Sequence, residues 1–158
     1  MIGASSPRAS SPRPPRLAAS VGDRLPTLRR VVTQGMIDAY AKASGDFNPI
    51  HVDPDYARTG PFGRTIAHGL MTLAFVAQML NAWSGGLFDE AGEIDVAFVS
   101  PVYSGDAVEI SGVVEEAFSR DGRSAVLIRL ICNVADRAIL VGTATQPIGS
   151  KDSESHGA

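Results

Sequence analysis

A change of hydrophobic period at Gly85-Gly86 restricts this chain more than any other feature. Before it, from His68 to about Asn81, apolar residues fall on most sides of one helix, the pattern of a helix surrounded by protein. After it the period is two. Ile94, Val96 and Phe98 alternate with Glu93, Asp95 and Ala97 in a strand over Glu93 to Val99, and Val108 and Ile110 alternate with Glu109 and Ser111 over Ala107 to Glu116. Asp121-Gly122 is a hairpin signal between the run ending at Glu116 and the one beginning at Ser124. A turn at Ala135-Asp136 then leads into a last strand, Arg137 to Thr145. One buried helix followed by four antiparallel strands predicts an α+β fold, with an antiparallel sheet wrapped around a long buried helix. Periodicity alone leaves several α+β topologies open.

Upstream of that helix the signals are local. Leu28 to Val32 reads as a short strand, and Thr33 stands where a helix N-cap would. Met36, Ile37, Tyr40, Ala41 and Ser44 recur at helical spacing, and Gly45 offers a C-terminal stop. Gly45 to Pro49 reads as a turn. Asp53-Pro54 makes an N-cap and first-turn pair for a helical turn through Ala57, and Thr59 to Arg64 reads as loop.

With 158 residues, 44% hydrophobic and 20% charged, the chain suits one domain with one core. A net charge of −3 and a pI near 5.5 give no global attraction to nucleic acid or to an anionic membrane, so neither is expected as a partner. The apolar stretch Leu70 to Leu80 is interrupted by Thr72 and Gln78 and is too short to span a bilayer, which takes about 20 residues. Met1 to Ser20 carries Arg8, Arg13 and Arg16, no acid, and four prolines, so it is expected to be a disordered arm. It has no apolar run of the secretory kind, and the expected location is the cytoplasm. Gly149 to Ala158, with His156, is expected to be a polar tail, leaving 21–148 as the domain. Cys132, the single cysteine, lies in the apolar run Ala125 to Val134 and reads as a buried thiol.

Two places carry chemistry. Asp46 and His51 are five residues apart across a turn fixed by Pro49, close enough for a carboxylate and an imidazole to share one water. Asn48 can pin the turn or hold the pair. An Asx turn with an ordinary histidine after it would explain the same residues, so this stretch alone leaves both readings open. The second place is His68-Gly69, at the start of the buried helix, where the first backbone N–H groups lack intrahelical partners and the dipole is positive. Gly69 there suits an oxyanion, and His68 reads as a polar contact at the helix start. His51, Asp53 and His68 match no usual zinc spacing, so no metal is expected. Trp83 is expected to fill core or interface.

The stretch Ala43-Ser44-Gly45-Asp46-Phe47-Asn48-Pro49-Ile50-His51 resembles the signature of MaoC-like hydratases, a family that includes (R)-specific enoyl-CoA hydratases. The likeness continues through Asp53-Pro54, Tyr56-Ala57 and Phe62 to Met71, and covers roughly Leu25 to Gln146. It implies a single hot-dog domain that reversibly adds water to a trans-2-enoyl thioester, giving the (R)-3-hydroxyacyl thioester. Asp46 and His51 would hold and deprotonate water, and the Gly69 N–H would bind the thioester carbonyl. Gly69, Asn48 and His68 together form the expected oxyanion and substrate-binding set. No cofactor is implied. The acyl group would ride on coenzyme A or acyl carrier protein, and Arg58, Arg64, Arg120 and Arg123 could meet the phosphates of coenzyme A. The family usually dimerises with its acyl tunnel near the interface, and the free edge of such a sheet also argues for a homodimer. One departure stands out: several such hydratases carry a serine on the buried helix where this chain has Ala77. A hot-dog thioesterase and a non-catalytic partner subunit are the alternatives.

Overall fold

The alternating segments form long strands. In the computed structural model, which describes residues 18–120 and 122–148, they are β2 (Glu93–Phe98), β3 (Ala107–Arg120), β4 (Arg123–Val134) and β5 (Arg137–Pro147), joined by a short β1 (Leu28–Val31). The expected arm up to residue 17, Asp121 of the hairpin signal, and the tail with His156 lie outside the described residues. Val108, Ile110 and Val114 of β3 turn inward, as do Val126, Ile128, Leu130 and Cys132 of β4. Strands β3 and β4 extend beyond the alternating runs seen in the sequence, because a bulge between Val114 and Glu116 absorbs the break in pattern.

All pairings are antiparallel, in the order β1-β3-β4-β5-β2. Strand β2 does not lie beside its sequence neighbour β3. It crosses to the far edge and pairs with β5, from Glu93 opposite Thr145 to Phe98 opposite Leu140. That approach needs Gly142: a Cβ there would fall 2.2 Å from the Asp95 carbonyl oxygen and 2.7 Å from Val96 Cα. A second irregularity shapes the other end of β2. Between β4 and β5 the register jumps from Cys132–Leu140 to Asn133–Ala138, leaving Ile139 unpaired in that ladder. Its carbonyl instead accepts from the Val99 N–H at 2.9 Å, which ties the segment leaving β2 to the sheet.

The first helix, α1 (Gln34–Ser44), has the expected ends. The Met36 N–H donates to Thr33 Oγ1 at 3.2 Å, and Gly45, at φ 77°, donates its N–H to the Ala41 carbonyl. Ile37 and Ala41 are its buried face. The expected turn Gly45 to Pro49 is shorter than the sequence suggested. Asn48 is an N-cap whose side chain accepts from the Ile50 N–H, and Pro49 opens a four-residue helix, α2 (Pro49–Val52), that carries His51. Next comes α3 (Pro54–Thr59), capped by Asp53 through the Asp55 and Tyr56 N–H groups.

The long helix α4 (Gly69–Ser84) packs Met71, Val76, Met79 and Leu80 into one core with Ile110, Ile128, Leu130 and Leu140 of the sheet. Trp83 packs against that core, as expected. A short α5 (Phe88–Ala91), not foreseen from the sequence, leads into β2. Burial of α4 on all sides is not reached within one chain. Leu70, Ala74, Gln78 and Ala82 form an exposed stripe, and Leu70 is 60% exposed. No helix of the described residues is long and apolar enough to cross a membrane.

Candidate active site

His51 is placed by bonds to Ile66 and to Gln34. Its Nδ1 lies 2.8 Å from the Ile66 carbonyl oxygen, while the Ile66 N–H donates to the Ile50 carbonyl at 3.1 Å. Its own carbonyl accepts from Gln34 Nε2 at 2.9 Å. A carbonyl only accepts, so Nδ1 carries a proton, and in the neutral ring Nε2 keeps a lone pair. His51 is 8% exposed and lines a cavity of about 380 Å³. Asp46 sits on the exposed turn before α2, its Oδ1 accepting from the Asn48 N–H at 3.2 Å. Ligating atoms of Asp46, His51 and His68 all lie within 4.8 Å of one another. A water molecule placed among them reaches both a carboxylate and an imidazole.

Gly69 is the first residue of α4 and lines the same cavity. Among the described residues nothing accepts its N–H, which leaves that donor, with the positive end of a 16-residue helix behind it, for an incoming oxygen. Apart from Thr72 and Ser100, the rest of the wall is apolar, with Phe62, Ile66, Phe98, Val102 and the bulged Ile139. A Cβ on Gly69 would meet the Phe98 ring at 3.3 Å, so the glycine keeps a narrow slot open.

The expected site residues divide clearly. Asp46, His51 and Gly69 converge on this region. Asn48 lies beside it but spends its side-chain oxygen on capping α2. His68 is buried, stacked on His51, and in contact with the Asp46 main chain. Asp53 caps α3 and takes no part. Ala77 is not on the cavity wall, whereas Thr72 is, at 3% exposure. Of the arginines, Arg58 pairs with Asp55 and Arg120 with Glu93, and Arg123 lines a separate concavity with Arg120. Arg64 stacks over the Tyr103 ring at 3.9 Å, on the segment that leads into Ile66.

Sequence reasoning missed Gln34. Its Nε2 donates to the His51 carbonyl, and its Oε1 accepts from Thr65 Oγ1 at 2.8 Å, so one side chain joins α1, α2 and the segment before α4. No local signal marks such a residue, since its partners lie 17 and 31 positions away.

An antiparallel sheet on one long helix, with a carboxylate and imidazole at that helix's N-terminus, defines a hot-dog protein equipped for acid–base chemistry. Residues 17–133 match the family model described as MaoC like domain, and the chain belongs to the MaoC-like family. It is 41% identical over 97 residues to the 3-hydroxyacyl-thioester dehydratase Z of Mycobacterium tuberculosis, a match covering 58% of this chain. That match spans 64% of the mycobacterial protein, under two thirds of its length. It is 31% identical over 123 residues to the (R)-specific enoyl-CoA hydratase of Rhodospirillum rubrum, covering 75% of this chain and 81% of that one. The solved (R)-hydratase from A. caviae involved in PHA biosynthesis shares the fold, with a TM-score of 0.70 at 24% identity over 81% of this chain and 96% of its own.

Proposed function

We propose that this protein is a hydro-lyase that reversibly adds water to a trans-2-enoyl thioester, carried by coenzyme A or acyl carrier protein, giving the (R)-3-hydroxyacyl thioester. The observation that carries this reading is an imidazole and a free helix-start N–H on the wall of one largely apolar cavity, with a carboxylate within 4.8 Å of that imidazole. The Gly69 N–H holds the thioester oxygen and stabilises the charge that develops on it. Water held between Asp46 and His51 adds its oxygen to the β-carbon and gives its proton to the pair. Asp46 then returns a proton to the α-carbon, so the reaction balances without a cofactor. The names of the relatives support the same reaction class.

The test is loss of enoyl-thioester absorbance with purified protein and enoyl-CoAs of graded chain length. Turnover with at least one of them is expected. Release of free thiol from saturated acyl-CoA, with no hydration, would replace the reading by a thioesterase.

We extend the proposal to a homodimer. The sheet ends at β2, and Leu70, Phe47, Phe98 and Val99 are each about half exposed or more beside the cavity or its helix. A second copy would cover them. Light scattering at micromolar concentration should give the mass of two chains, and a single-chain mass would refute the pairing.

A further inference from the structure

His68 is buried to 3% exposure, at the N-cap of α4, and its side chain makes no capping bond to that helix. Its ring lies 3.8 Å from the His51 ring at an interplanar angle of 27°, and 4.9 Å from Tyr40. Nε2 stands 2.9 Å from the Asp46 carbonyl oxygen, so the ring proton sits on Nε2. Nδ1 is buried with no partner among the described residues.

One histidine thereby touches both members of the acid–base pair. Its edge holds the peptide that carries Asp46, and its face supports the His51 ring, whose own edge is held by Ile66. Among the described residues, the other side-chain bonds at Asp46 are from its N–H to Ser44 Oγ and from the Asn48 N–H to its carboxylate, both within its own turn. The His68 contact is therefore what ties this turn to α4, on which Gly69 stands. We propose that His68 is a positioning residue: it sets Asp46 and His51 around one water, in register with the Gly69 N–H that holds the thioester oxygen, without itself touching the substrate. This rests on the hydratase reading above.

Two substitutions separate its two contacts. His68→Phe keeps the stack and loses the donor, whereas His68→Gln keeps a donor and loses the stack. If His68 positions Asp46 by its N–H, His68→Phe lowers kcat by about tenfold to 10²-fold, the range a misplaced catalytic group costs, and leaves KM within about threefold. His68→Gln recovers part of that loss. In an Asp46→Asn background His68→Phe should cost under about threefold, because residues acting as a unit are not additive. An unchanged kcat in folded His68→Phe, or an equal loss in both backgrounds, overturns the proposal. If His68→Phe does not fold, His68→Gln decides, and a kcat within tenfold of wild type is required. Ring-nitrogen chemical shifts give a readout independent of turnover: His68 protonated on Nε2 and His51 on Nδ1 are expected, and the reverse tautomer on His68 refutes the contact. Asp46→Asn and His51→Ala serve as controls. If these keep wild-type turnover, the hydratase reading fails; if they lose it while His68→Phe does not, only the positioning role fails.

Discussion

Replacing Gln34 by methionine, which has similar length and no amide, tests how the site is held. The substitution leaves two groups unpaired, the His51 carbonyl and the hydroxyl of Thr65, which is 8% exposed. A buried polar group left without its partner costs about 1–3 kcal/mol. With α1 still covering them and some water reaching the site, the lower half of that range applies, roughly 2–4 kcal/mol in all. The bond to Asp38 Oδ1, one turn along the same helix, is also lost, and such a pair adds only about 0.2–0.5 kcal/mol. For a domain of this size such a loss lowers Tm by roughly 5–15 °C, short of unfolding it at 25 °C. Turnover should fall further than stability implies, because His51 loses its tie to α1. Thermal melts followed by circular dichroism, paired with turnover well below Tm, separate the two effects. A Tm within about 1 °C of wild type and unchanged turnover would show that Gln34 does not hold α2, since surface changes typically stay within about 0.5 kcal/mol.

Three further outcomes are expected. Gly142→Ala drives a methyl into the backbone of β2 at Asp95 and should cost at least about 1–3 kcal/mol, read by urea titration; wild-type stability would show that β2 does not pair there. Gly69→Ala should stay folded, because the half-exposed Phe98 ring can give way, yet should lose about 10-fold or more in kcat/KM as the slot narrows; steady-state kinetics at wild-type values would mean the slot is not used. Burial pushes the Cys132 thiol up from 9.0 to about 12, so it should resist thiol reagents at pH 8 in the native protein and react promptly in urea. Because the folded state holds that proton more tightly, the thiol's contribution to stability is present below pH 9.0 and fades as pH rises toward 12, which denaturant titrations across that range would show.

What was legible in the sequence is what depends on near neighbours. Thr33, Gly45 and Asp53 act on N–H and carbonyl groups within four residues, and the strands declare themselves by alternation. The Asp46–His51 turn was legible for the same reason. The helix α2 was not, since four residues show no period, and its cap and proline read equally well as parts of a turn. Features set by distant partners stayed hidden. The crossing of β2 to β5 depends on Gly142 meeting Asp95, and Ile139 reaches the cavity because a bulge forms against β4. Likewise, His68 read as a helix-start contact, and only the fold brings its ring onto His51, 17 positions earlier in the chain. The apolar pattern around α4 was read as full burial, whereas within one chain one stripe stays open.

The most direct test of the account is turnover of an enoyl thioester by Asp46→Asn. Asparagine is nearly isosteric, and its amide oxygen can still accept from the Asn48 N–H, so the turn should persist and circular dichroism should match wild type. What is lost is the group that, on the proposed mechanism, takes and returns the proton, a loss worth about 10²-fold to 10⁴-fold in kcat. A folded Asp46→Asn protein slowed by that factor is the predicted result. A folded one hydrating at near the wild-type rate would contradict the assignment of this turn as the active site.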